Sequence, residues 1–489
     1  MNLHAQNWLN CLHEDAESFS AMADDCAEVQ NSVLKRILRQ NEKTVYGRKY
    51  GFERIGNYKE FTRTVPTITY EDLTQYIGQI KNGHKKVLSI EDVIRFEKTS
   101  GSSGTNKYIP YTKALISDFQ KGVAPWMYSI ADHKKAAFKK KFYLALSPKM
   151  MSPESWSSPV KLGSGDDLAY FEADTAAALY PCVVIPDTSG TQSDKEFYMT
   201  SISSLMKEKL SLISCWSPTY LLQIDTLMRR ENEYFGLDEK FVWKDIWPDL
   251  SLVSCWTGAS SAMFIEELQE RLGESVEIQG KGLMSTECIC SIPFKPELDP
   301  VLTYTSHFYE FEDDLGTVSL AHELKVGEQY SIIVTTSGGL YRYKTGDSVR
   351  VTGFYKSIPA FKFLGRQGRI SDLVGEKLSE AQVSEAIHDL GLPPSVLIAE
   401  KDHYQLVSEQ NIRTELIDKM DELLKQNCYY DQARKLSQLK SISFKSISKN
   451  EMIKIQQVLS GGKTPAATQK FHSLILFSEW QRILSTEVL

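Results

Sequence analysis

The stretch Thr99-Ser100-Gly101-Ser102-Ser103-Gly104-Thr105-Asn106-Lys107 carries more information about the fold than any other part of this sequence. It follows the alternating apolar run 93–96 and precedes a helical pattern over 113–140. Small residues let backbone N–H groups approach phosphate oxygens, hydroxyls add donors, and Lys107 can neutralise charge. The spacing is not that of a Walker A loop. The stretch therefore predicts either a phosphate-binding loop, placed after a strand and before a helix, or a flexible surface turn.

The segments on both sides of this loop predict an α/β fold. The first 45 or so residues have helical apolar spacing, and residues 165–285 alternate between strand-like and helix-like patterns. Closely spaced strands at 302–308, 329–335, 348–354 and 360–364 indicate an antiparallel or barrel-like subdomain. We therefore predict a large N-terminal α/β domain at 1–367, with the barrel-like part at about 300–364. A small α+β domain follows at 368–489.

Composition narrows the class of protein. The 489 residues (55.5 kDa) are 42% hydrophobic and 24% charged, which is typical of a globular protein long enough for two or three domains. A net charge of −7 argues against nonspecific nucleic-acid binding. The eight cysteines show no zinc spacing and indicate reduced thiols. With neither a signal-peptide pattern nor 18 consecutive apolar residues, we expect a cytoplasmic protein that does not bind membranes.

A second candidate segment is Gly282-Leu283-Met284-Ser285-Thr286-Glu287, at the end of an apolar strand. A carboxylate beside small hydroxyl side chains at a strand terminus can hold Mg²⁺ near a triphosphate. The same residues also suit a helix N-terminus capped by Ser285 or Thr286, and taken locally this second interpretation is the stronger one.

A third candidate segment runs from Gly338 to Asp347 and is predicted to join two strands. An aspartate after a glycine is most often turn chemistry in a hairpin. The Asp347 carboxylate could instead accept hydrogen bonds from both hydroxyls of a ribose. Near the C-terminus, Gly461-Gly462-Lys463-Thr464 looks like the end of a Walker A loop, but Gln457 stands where its first glycine would be needed, and a turn is predicted.

In this order and spacing, the segments resemble the motifs of adenylate-forming enzymes such as acyl-CoA synthetases and luciferases. Residues 99–107 match the phosphate-loop signature, and 282–287 resemble the motif that ends in Thr-Glu. Tyr343-Lys344-Thr345-Gly346-Asp347 resembles the Tyr-x-x-Gly-Asp motif, and Gly365-Arg366 resembles the hinge before a mobile C-terminal domain.

Within that superfamily, the chain resembles the Gretchen Hagen family of acyl acid amido synthetases from about residue 40 to 475. The features that carry this resemblance are Tyr70-Glu71-Asp72, residues 339–343 running into Gly346-Asp347, Val349-Arg350-Val351, residues 363–366 with Lys377 and Glu380, and Gln469-Lys470.

The resemblance implies an ATP-dependent ligase with Mg²⁺ that adenylates a small carboxylic acid and transfers the acyl group to an amine, expected to be an amino acid. It implies catalytic roles for Lys377 and Lys470, with Lys463 as the alternative to Lys470, and places the metal at Glu287. The implied nucleotide-binding residues are Ser100, Gly101, Ser102, Ser103, Gly104, Thr105, Lys107, Gly258, Ala259, Ser260, Met284, Ser285, Thr286, Tyr343, Asp347 and Arg366. Gly258 to Ser260 resemble an adenine-binding turn, although helix capping by Ser260 explains them equally well.

Three further expectations complete the prediction. We expect a monomer whose small domain pivots around residues 366–369. Val123, Trp126, Met127 and Ile130 could wall an acyl pocket, but a helix face buried in the core explains them better. The alternatives for function are an acyl-CoA ligase with the same first half-reaction and a nucleotide-binding protein that has lost catalysis.

Overall fold

The structure is a computed structural model that describes residues 1–100, 106–145, 156–163, 167–188, 191, 193–366, 369–459 and 470–485. Its α-helices are Leu3–Cys11 (α1), His13–Ala21 (α2), Cys26–Asn41 (α3), Val45–Lys49 (α4), Tyr58–Thr64 (α5), Tyr70–Lys81 (α6), Lys113–His133 (α7), Ala173–Leu179 (α8), Asp194–Met206 (α9), Pro218–Arg230 (α10), Asn232–Phe235 (α11), Trp243–Ile246 (α12), Ile265–Leu272 (α13), Glu380–Asp389 (α14), Thr414–Leu424 (α15), Cys428–Lys435 (α16), Lys449–Leu459 (α17) and Phe477–Leu484 (α18). Short 3-10 helices are Phe52–Arg54, Lys135–Phe138, Asp167–Tyr170, Tyr180–Cys182, Ala259–Phe264 and Ala321–Glu323.

The strands form separate sheets along the chain. They are Arg95–Ser100 (β1), Asn106–Tyr111 (β2), Lys141–Leu144 (β3), Lys161–Leu162 (β4), Val183–Val184 (β5), Leu210–Ser214 (β6), Leu252–Cys255 (β7), Glu277–Gly280 (β8), Ser291–Ile292 (β9), Val301–Leu302 (β10), Phe308–Glu312 (β11), Val318–Leu320 (β12), Gln329–Thr335 (β13), Tyr343–Tyr355 (β14), Ile358–Arg366 (β15), Ile370–Ser371 (β16), Leu378–Ser379 (β17), Ser395–Ala399 (β18), Tyr404–Ser408 (β19), Ser443–Ser446 (β20) and Leu474–Ile475 (β21).

A parallel sheet of order β5-β3-β6-β7-β8 forms the α/β layer. All four residues of β7 and most of β6 are buried, as expected for parallel strands covered on both faces. Helices α9, α10 and α13 pack against this sheet through a core that includes Ile213, Val253 and Leu268. The carboxyl ends of these strands share one edge, where ligands usually bind in open α/β sheets.

An antiparallel sheet has the strand order β12-β11-β13-β14-β15-β10-β9. It carries the predicted motif Tyr343 to Asp347 on β14 and the predicted hinge residues Gly365 and Arg366 on β15. Its central strand, β14, begins with strictly alternating buried and half-buried residues, so one face is fixed against the core. A third small sheet, of order β2-β1-β4, holds the hairpin on which the serine- and glycine-rich loop lies.

Residues after 369 form their own sheets and cores. Strands β20-β19-β18-β21 make a mixed sheet, and β16 pairs with β17. Two clusters of buried apolar side chains lie within residues 378–483, around Leu406 and Met420 and around Ile398 and Trp480. This mixture of helices and a small sheet is the α+β pattern that was predicted for the end of the chain.

The α/β fold class is confirmed, and several elements differ from prediction in informative ways. The strand predicted at 302–308 is two strands, because β10 ends at Leu302 and β11 begins at Phe308. A buried turn lies between them, in which Ser306 N–H donates to the Thr303 carbonyl at 3.0 Å. The helix predicted over 113–140 ends at His133 and gives way to the 3-10 helix Lys135–Phe138.

The described residues bear on the expectations for membrane spans, for cysteines and for the apolar face of helix α7. Among them, no helix is both long enough and apolar enough to cross a membrane. The seven cysteines whose side chains the structure describes are all free of disulfides, six of them buried. On helix α7, Trp126, Met127 and Ile130 are buried, in agreement with the core interpretation of that face.

Candidate active site

The serine- and glycine-rich stretch begins and ends on two paired strands. Strands β1 and β2 pair antiparallel, with Thr99 opposite Lys107 and Ser100 opposite Asn106. Gly101 to Thr105, which connect them, and the Ser100 side chain lie outside the described residues. Strand β2 follows the loop, and the predicted helix α7 begins after it at Lys113.

Residues that flank this loop contact helix α6. The Lys107 ammonium lies 5.8 Å from the centre of the Tyr70 ring, and the Tyr70 hydroxyl accepts a hydrogen bond from Tyr108 N–H at 2.7 Å. Tyr70 opens helix α6 and belongs to the Tyr-Glu-Asp segment in the predicted family resemblance. The hairpin base is therefore held against α6, and Lys107 lies close to the loop.

The segment with Glu287 is a tight hairpin turn. Met284 and Ile289 form an isolated antiparallel bridge, and Ser285 N–H donates to the Cys288 carbonyl at 2.9 Å. Gly282 has a φ of +77°, and a Cβ there would approach the Ser291 carbonyl oxygen to 2.3 Å. The locally stronger interpretation, a capped helix start, was therefore wrong. The segment was ambiguous in sequence because small hydroxyl residues serve turns and caps equally well.

Within that turn, Glu287 is only 1% exposed. The Thr286 hydroxyl donates to its carboxylate at 3.1 Å, and the Thr286 carbonyl accepts a hydrogen bond from the Tyr111 hydroxyl at 2.7 Å. Tyr111 is the last residue of β2, so this contact joins the hairpin that carries the serine- and glycine-rich loop to the turn that carries Glu287. The side chain of Arg95 covers the ring of Tyr111 at 4.7 Å.

Tyr343 and Asp347 lie on strand β14. Both are buried, and Asp347 lies opposite Arg366 of β15. The segment joins the paired strands β13 and β14 through a turn near 336–340, where Thr336 N–H donates to the Leu340 carbonyl. The turn interpretation of Asp347 itself was wrong, because Asp347 lies within β14. The side chain of Arg366 lies outside the described part of the chain. Gly346 has a φ of +79°, which a glycine adopts without strain.

The pKa of one buried thiol, that of Cys288, responds to the charges of both Glu287 and Asp347. Burial, the neighbouring Cys290 and the charges of Glu287 and Asp347 hold the pKa of Cys288 well above its usual range.

The segment Gly258-Ala259-Ser260 follows strand β7 at the carboxyl edge of the parallel sheet. Gly258 is the N-cap of the 3-10 helix Ala259–Phe264, so the interpretation of Ser260 as a cap was wrong. The Gly258 backbone lies beside the Phe363 carbonyl of β15, which a Cβ on Gly258 would approach to 3.8 Å. The side chains of Ala259 and Ser260 are not among the described ones.

The structure places the two predicted lysines differently. The Lys470 ammonium lies 5.4 Å from the centre of the Trp256 ring, two residues before Gly258, and the next residue, Phe471, packs against Phe264. Lys377 is 58% exposed and forms an ion pair with Asp372 in its own loop. Lys470 therefore lies at the edge that carries Gly258, whereas the described contacts of Lys377 lie within the C-terminal part. Lys463 and Gln469 lie outside the described residues.

A group of side chains at the same edge was not predicted. Lys281 is 5% exposed, and its ammonium lies 5.0 Å and 5.2 Å from the ring centres of Trp126 and Trp216. Trp216 is 5.8 Å from Trp256, ring centre to ring centre. The available signal was a lysine between two glycines after a strand, together with tryptophans directly after β6 and β7.

The surroundings of Glu287 fit the way in which Mg²⁺ binds together with a nucleotide. Among them there is no group of three or more histidine, cysteine, aspartate or glutamate side chains that could hold a metal by itself. Mg²⁺ commonly binds through one or two carboxylates plus substrate phosphates and water. A buried carboxylate beside a hydroxyl, as found at Glu287, fits that mode.

Two solved structures of known proteins share the fold of this chain. The chain superposes on 2-hydroxyisobutyryl-CoA ligase in the postadenylation state, with a TM-score of 0.62, 11% identity and coverage of 94% of this chain and 91% of that chain. It superposes more closely on AtGH3.15 acyl acid amido synthetase in complex with 2,4-DB, with a TM-score of 0.81, 17% identity and coverage of 98% and 96%. At these identities the likeness shows a shared fold.

Two protein-family models show to which family the chain belongs. The GH3 family N-terminal domain matches residues 15–236, and the GH3 family central domain matches residues 300–366. Indole-3-acetic acid-amido synthetase GH3.3 of Arabidopsis thaliana is 23% identical over 430 residues, covering 74% of this chain and 71% of that protein. The chain belongs to the GH3 family, which confirms the resemblance drawn from its motifs.

Proposed function

We propose that this chain is an ATP-dependent ligase that adenylates a small carboxylic acid and transfers the acyl group to an amine, forming an amide. An amino acid is the proposed amine. One observation carries the proposal: the Tyr111 hydroxyl donates to the Thr286 carbonyl at 2.7 Å and so ties the Glu287 turn to the hairpin that carries the serine- and glycine-rich loop. The GH3 relatives named as amido synthetases support the same reaction class.

In the first half-reaction, a carboxylate oxygen attacks the α-phosphorus of ATP, and the bond to the bridging oxygen of pyrophosphate breaks. Negative charge then builds on the leaving pyrophosphate. We assign the offsetting donors to the loop from Ser100 to Thr105 and to Lys107 and Lys470. Asp347 would accept the ribose hydroxyls, with Tyr343 and Arg366 beside it, and Gly258 to Ser260 would face the adenine.

Glu287, with the turn residues Met284 to Thr286 around it, is the proposed holder of Mg²⁺. When bound with ATP, the ion would supply positive charge that neutralises the triphosphate. Two hydrogen bonds position the Glu287 carboxylate for this role. The Thr286 hydroxyl donates to the carboxylate, and the Tyr111 hydroxyl donates to the Thr286 carbonyl.

In the second half-reaction, the amine nitrogen attacks the acyl carbon, the bond to AMP breaks, and the amine loses a proton. AMP is a good leaving group, so the protein mainly orients the amine and excludes water. We propose a boundary near 367–368 between an ATP- and acyl-binding part and a mobile C-terminal part that pivots around 366–369. Lys377, now paired with Asp372, would approach the phosphates in another orientation. A monomeric state and a cytoplasmic location stay predictions.

Acid-dependent exchange of labelled pyrophosphate into ATP tests the first half-reaction. Purified protein is assayed with aryl, indolyl and aliphatic acids, and then with ATP, the best acid and either an amino-acid mixture or CoA. Exchange followed by amide formation is expected. A CoA thioester without amide would assign the chain to the acyl-CoA ligases, and no exchange with any acid would support a nucleotide-binding protein without catalysis.

Replacing Lys470 tests the assignment of the catalytic lysine. Lys470→Ala should slow adenylation by about 100-fold or more with little change in ATP affinity, because the charge is needed when pyrophosphate leaves. The matched control is Lys435→Ala, which removes a 74% exposed lysine from the same part of the chain. A normal exchange rate in the Lys470 variant would move the role to Lys463 or Lys377.

A further inference from the structure

A buried glutamine holds the segment that carries Lys470. Gln456 of α17 accepts a hydrogen bond from His472 N–H at 2.8 Å and donates one to the His472 carbonyl at 2.9 Å. Gln456 is 6% exposed, so water competes little for these two bonds. Its side-chain amide therefore bonds both backbone groups of one residue, as a paired strand does.

From His472 onwards the chain joins the sheet of the C-terminal part. Ser473 N–H donates to the Glu380 carboxylate at 3.0 Å, and Leu397 N–H donates to the Ser473 carbonyl at 2.8 Å. Strand β21, which follows, pairs in parallel with β18. The backbone at His472 is therefore fixed by α17 on one side and continues directly into the sheet.

Lys470 precedes this fixed point by two residues. Phe471 packs against Phe264 with ring centres 5.1 Å apart, and the Lys470 ammonium lies 5.4 Å from the centre of the Trp256 ring. Consecutive Cα atoms are about 3.8 Å apart, so at most about 7.6 Å separates the Cα atoms of Lys470 and His472. Because Lys470 is exposed, burial does not fix its side chain, and its position depends on how the backbone is held at His472.

We propose that Gln456 is a positioning residue for Lys470, and that its hydrogen bonds to His472 hold the lysine at the carboxyl edge of the parallel sheet during adenylation. The inference rests on the proposed function, because that function assigns Lys470 to the phosphates. A cation stabilises the leaving pyrophosphate most when it is already in place, and a displacement of about 1 Å can cost about 100-fold in rate.

Replacing Gln456 by methionine tests the role. Gln456→Met keeps the length of the side chain and removes its hydrogen bonds to His472. Pyrophosphate exchange at saturating ATP should slow by about 10- to 100-fold, while the KM for ATP changes less than about twofold, because Lys470 acts mainly in the transition state. Amide formation from preformed acyl-adenylate should keep its rate, since that step does not use Lys470 in this position.

Gln269→Met is the matched control. The Gln269 side chain also bonds two backbone groups, donating to the carbonyls of Gly273 at 3.0 Å and Val276 at 2.9 Å. These residues lie between α13 and the start of β8, at the amino edge of the parallel sheet. The control should keep the rates of both half-reactions, and thermal unfolding measures the stability that each variant loses.

A double variant shows whether Gln456 acts through Lys470. Once Lys470→Ala has removed the ammonium, adding Gln456→Met should slow exchange no further, because nothing is left to position. Additive losses would show that Gln456 affects adenylation by another route and would overturn the inference.

Trypsin supplies a measurement that does not depend on activity. It hydrolyses the Lys470–Phe471 bond when the residues around that bond leave the folded surface. Gln456→Met should raise the rate of cleavage at this bond by about tenfold or more, and Gln269→Met should leave that rate unchanged. Mass spectrometry of the fragments identifies the bond that is cut.

The outcomes separate this inference from the proposed function. Absence of exchange in the unsubstituted protein would contradict the ligase, and the trypsin experiment would still decide whether Gln456 holds Lys470. Exchange at the normal rate in Gln456→Met would overturn the inference and leave the ligase standing. Equal slowing of both half-reactions in Gln456→Met would show a general structural role and would also overturn it.

Discussion

Asp347 is a buried acidic residue on strand β14, where the family resemblance places the contact with the ribose of ATP. If its carboxylate accepts both ribose hydroxyls, Asp347→Ala should weaken ATP binding by about 10- to 100-fold. Isothermal titration with ATP measures the effect. Asp347→Asn keeps the shape and removes the charge, so it serves as the matched variant and should show a smaller loss. Unchanged ATP affinity in both folded variants would remove Asp347 from the nucleotide site.

Single residues were predictable where a motif fixes their chemistry. Glu287 and Asp347 were identified by their neighbours in sequence, and both side chains are buried in the structure. Lys281 and Tyr111 were missed, because their contacts depend on which strand ends lie side by side. The position of Lys377 was also beyond the sequence, since its ion pair with Asp372 depends on the fold of its loop.

Strands with continuous apolar character were predictable as elements. Strands β13 and β18 have the predicted bounds, and both consist almost entirely of buried residues. Segments rich in small polar residues were not predictable as elements, because their hydroxyl groups can form hydrogen bonds with backbone groups in several alternative conformations. The turn at 303–307 shows this, since the Thr303 and Ser306 hydroxyls bond to backbone carbonyls inside the core.

The contact between strand β2 and the Glu287 turn gives a prediction for these two elements. Tyr111→Phe removes only the hydroxyl that donates to the Thr286 carbonyl, so the ring still packs beneath Arg95. The turn should then hold Glu287 less firmly, and the Mg²⁺ concentration needed for half-maximal pyrophosphate exchange should rise by about 3- to 10-fold. The free energy of unfolding should fall by about 1–3 kcal/mol.

Tyr304→Phe is the control for this prediction. It removes a similar buried hydroxyl, which donates to the Phe19 carbonyl at 2.5 Å, in a different part of the core. It should reduce stability by a comparable amount and leave the Mg²⁺ dependence unchanged. If both variants shifted the Mg²⁺ dependence equally, the effect would reflect general loosening, and Tyr111 would have no positioning role.

At the scale of the whole molecule, the proposed pivoting of the C-terminal part depends on its contacts with the rest of the chain. Helix α14 packs against the 3-10 helix Ala259–Phe264, and Met263 of that helix joins the core around Leu406. Arg350 of β14 forms an ion pair with Glu385 of α14 at 2.9 Å. This orientation places Lys470 beside Trp256, which is the arrangement expected for adenylation.

The Arg350–Glu385 pair should bias the molecule towards this orientation. Its side chains are 28% and 36% exposed, so the pair contributes about 0.2–1 kcal/mol, equivalent to a population shift of at most about fivefold. Glu385→Gln should therefore lower the rate of pyrophosphate exchange by up to about fivefold.

The same substitution should not reduce amide formation from preformed acyl-adenylate, because that step requires the C-terminal part to leave this orientation. Single-turnover measurements of the two half-reactions give the ratio of their rates. The charge-reversed double variant, R350E with E385R, should restore the ratio, since the pair is rebuilt with opposite polarity. Equal slowing of both half-reactions by Glu385→Gln, without rescue in the double variant, would show that the contact stabilises the fold and does not bias a moving domain.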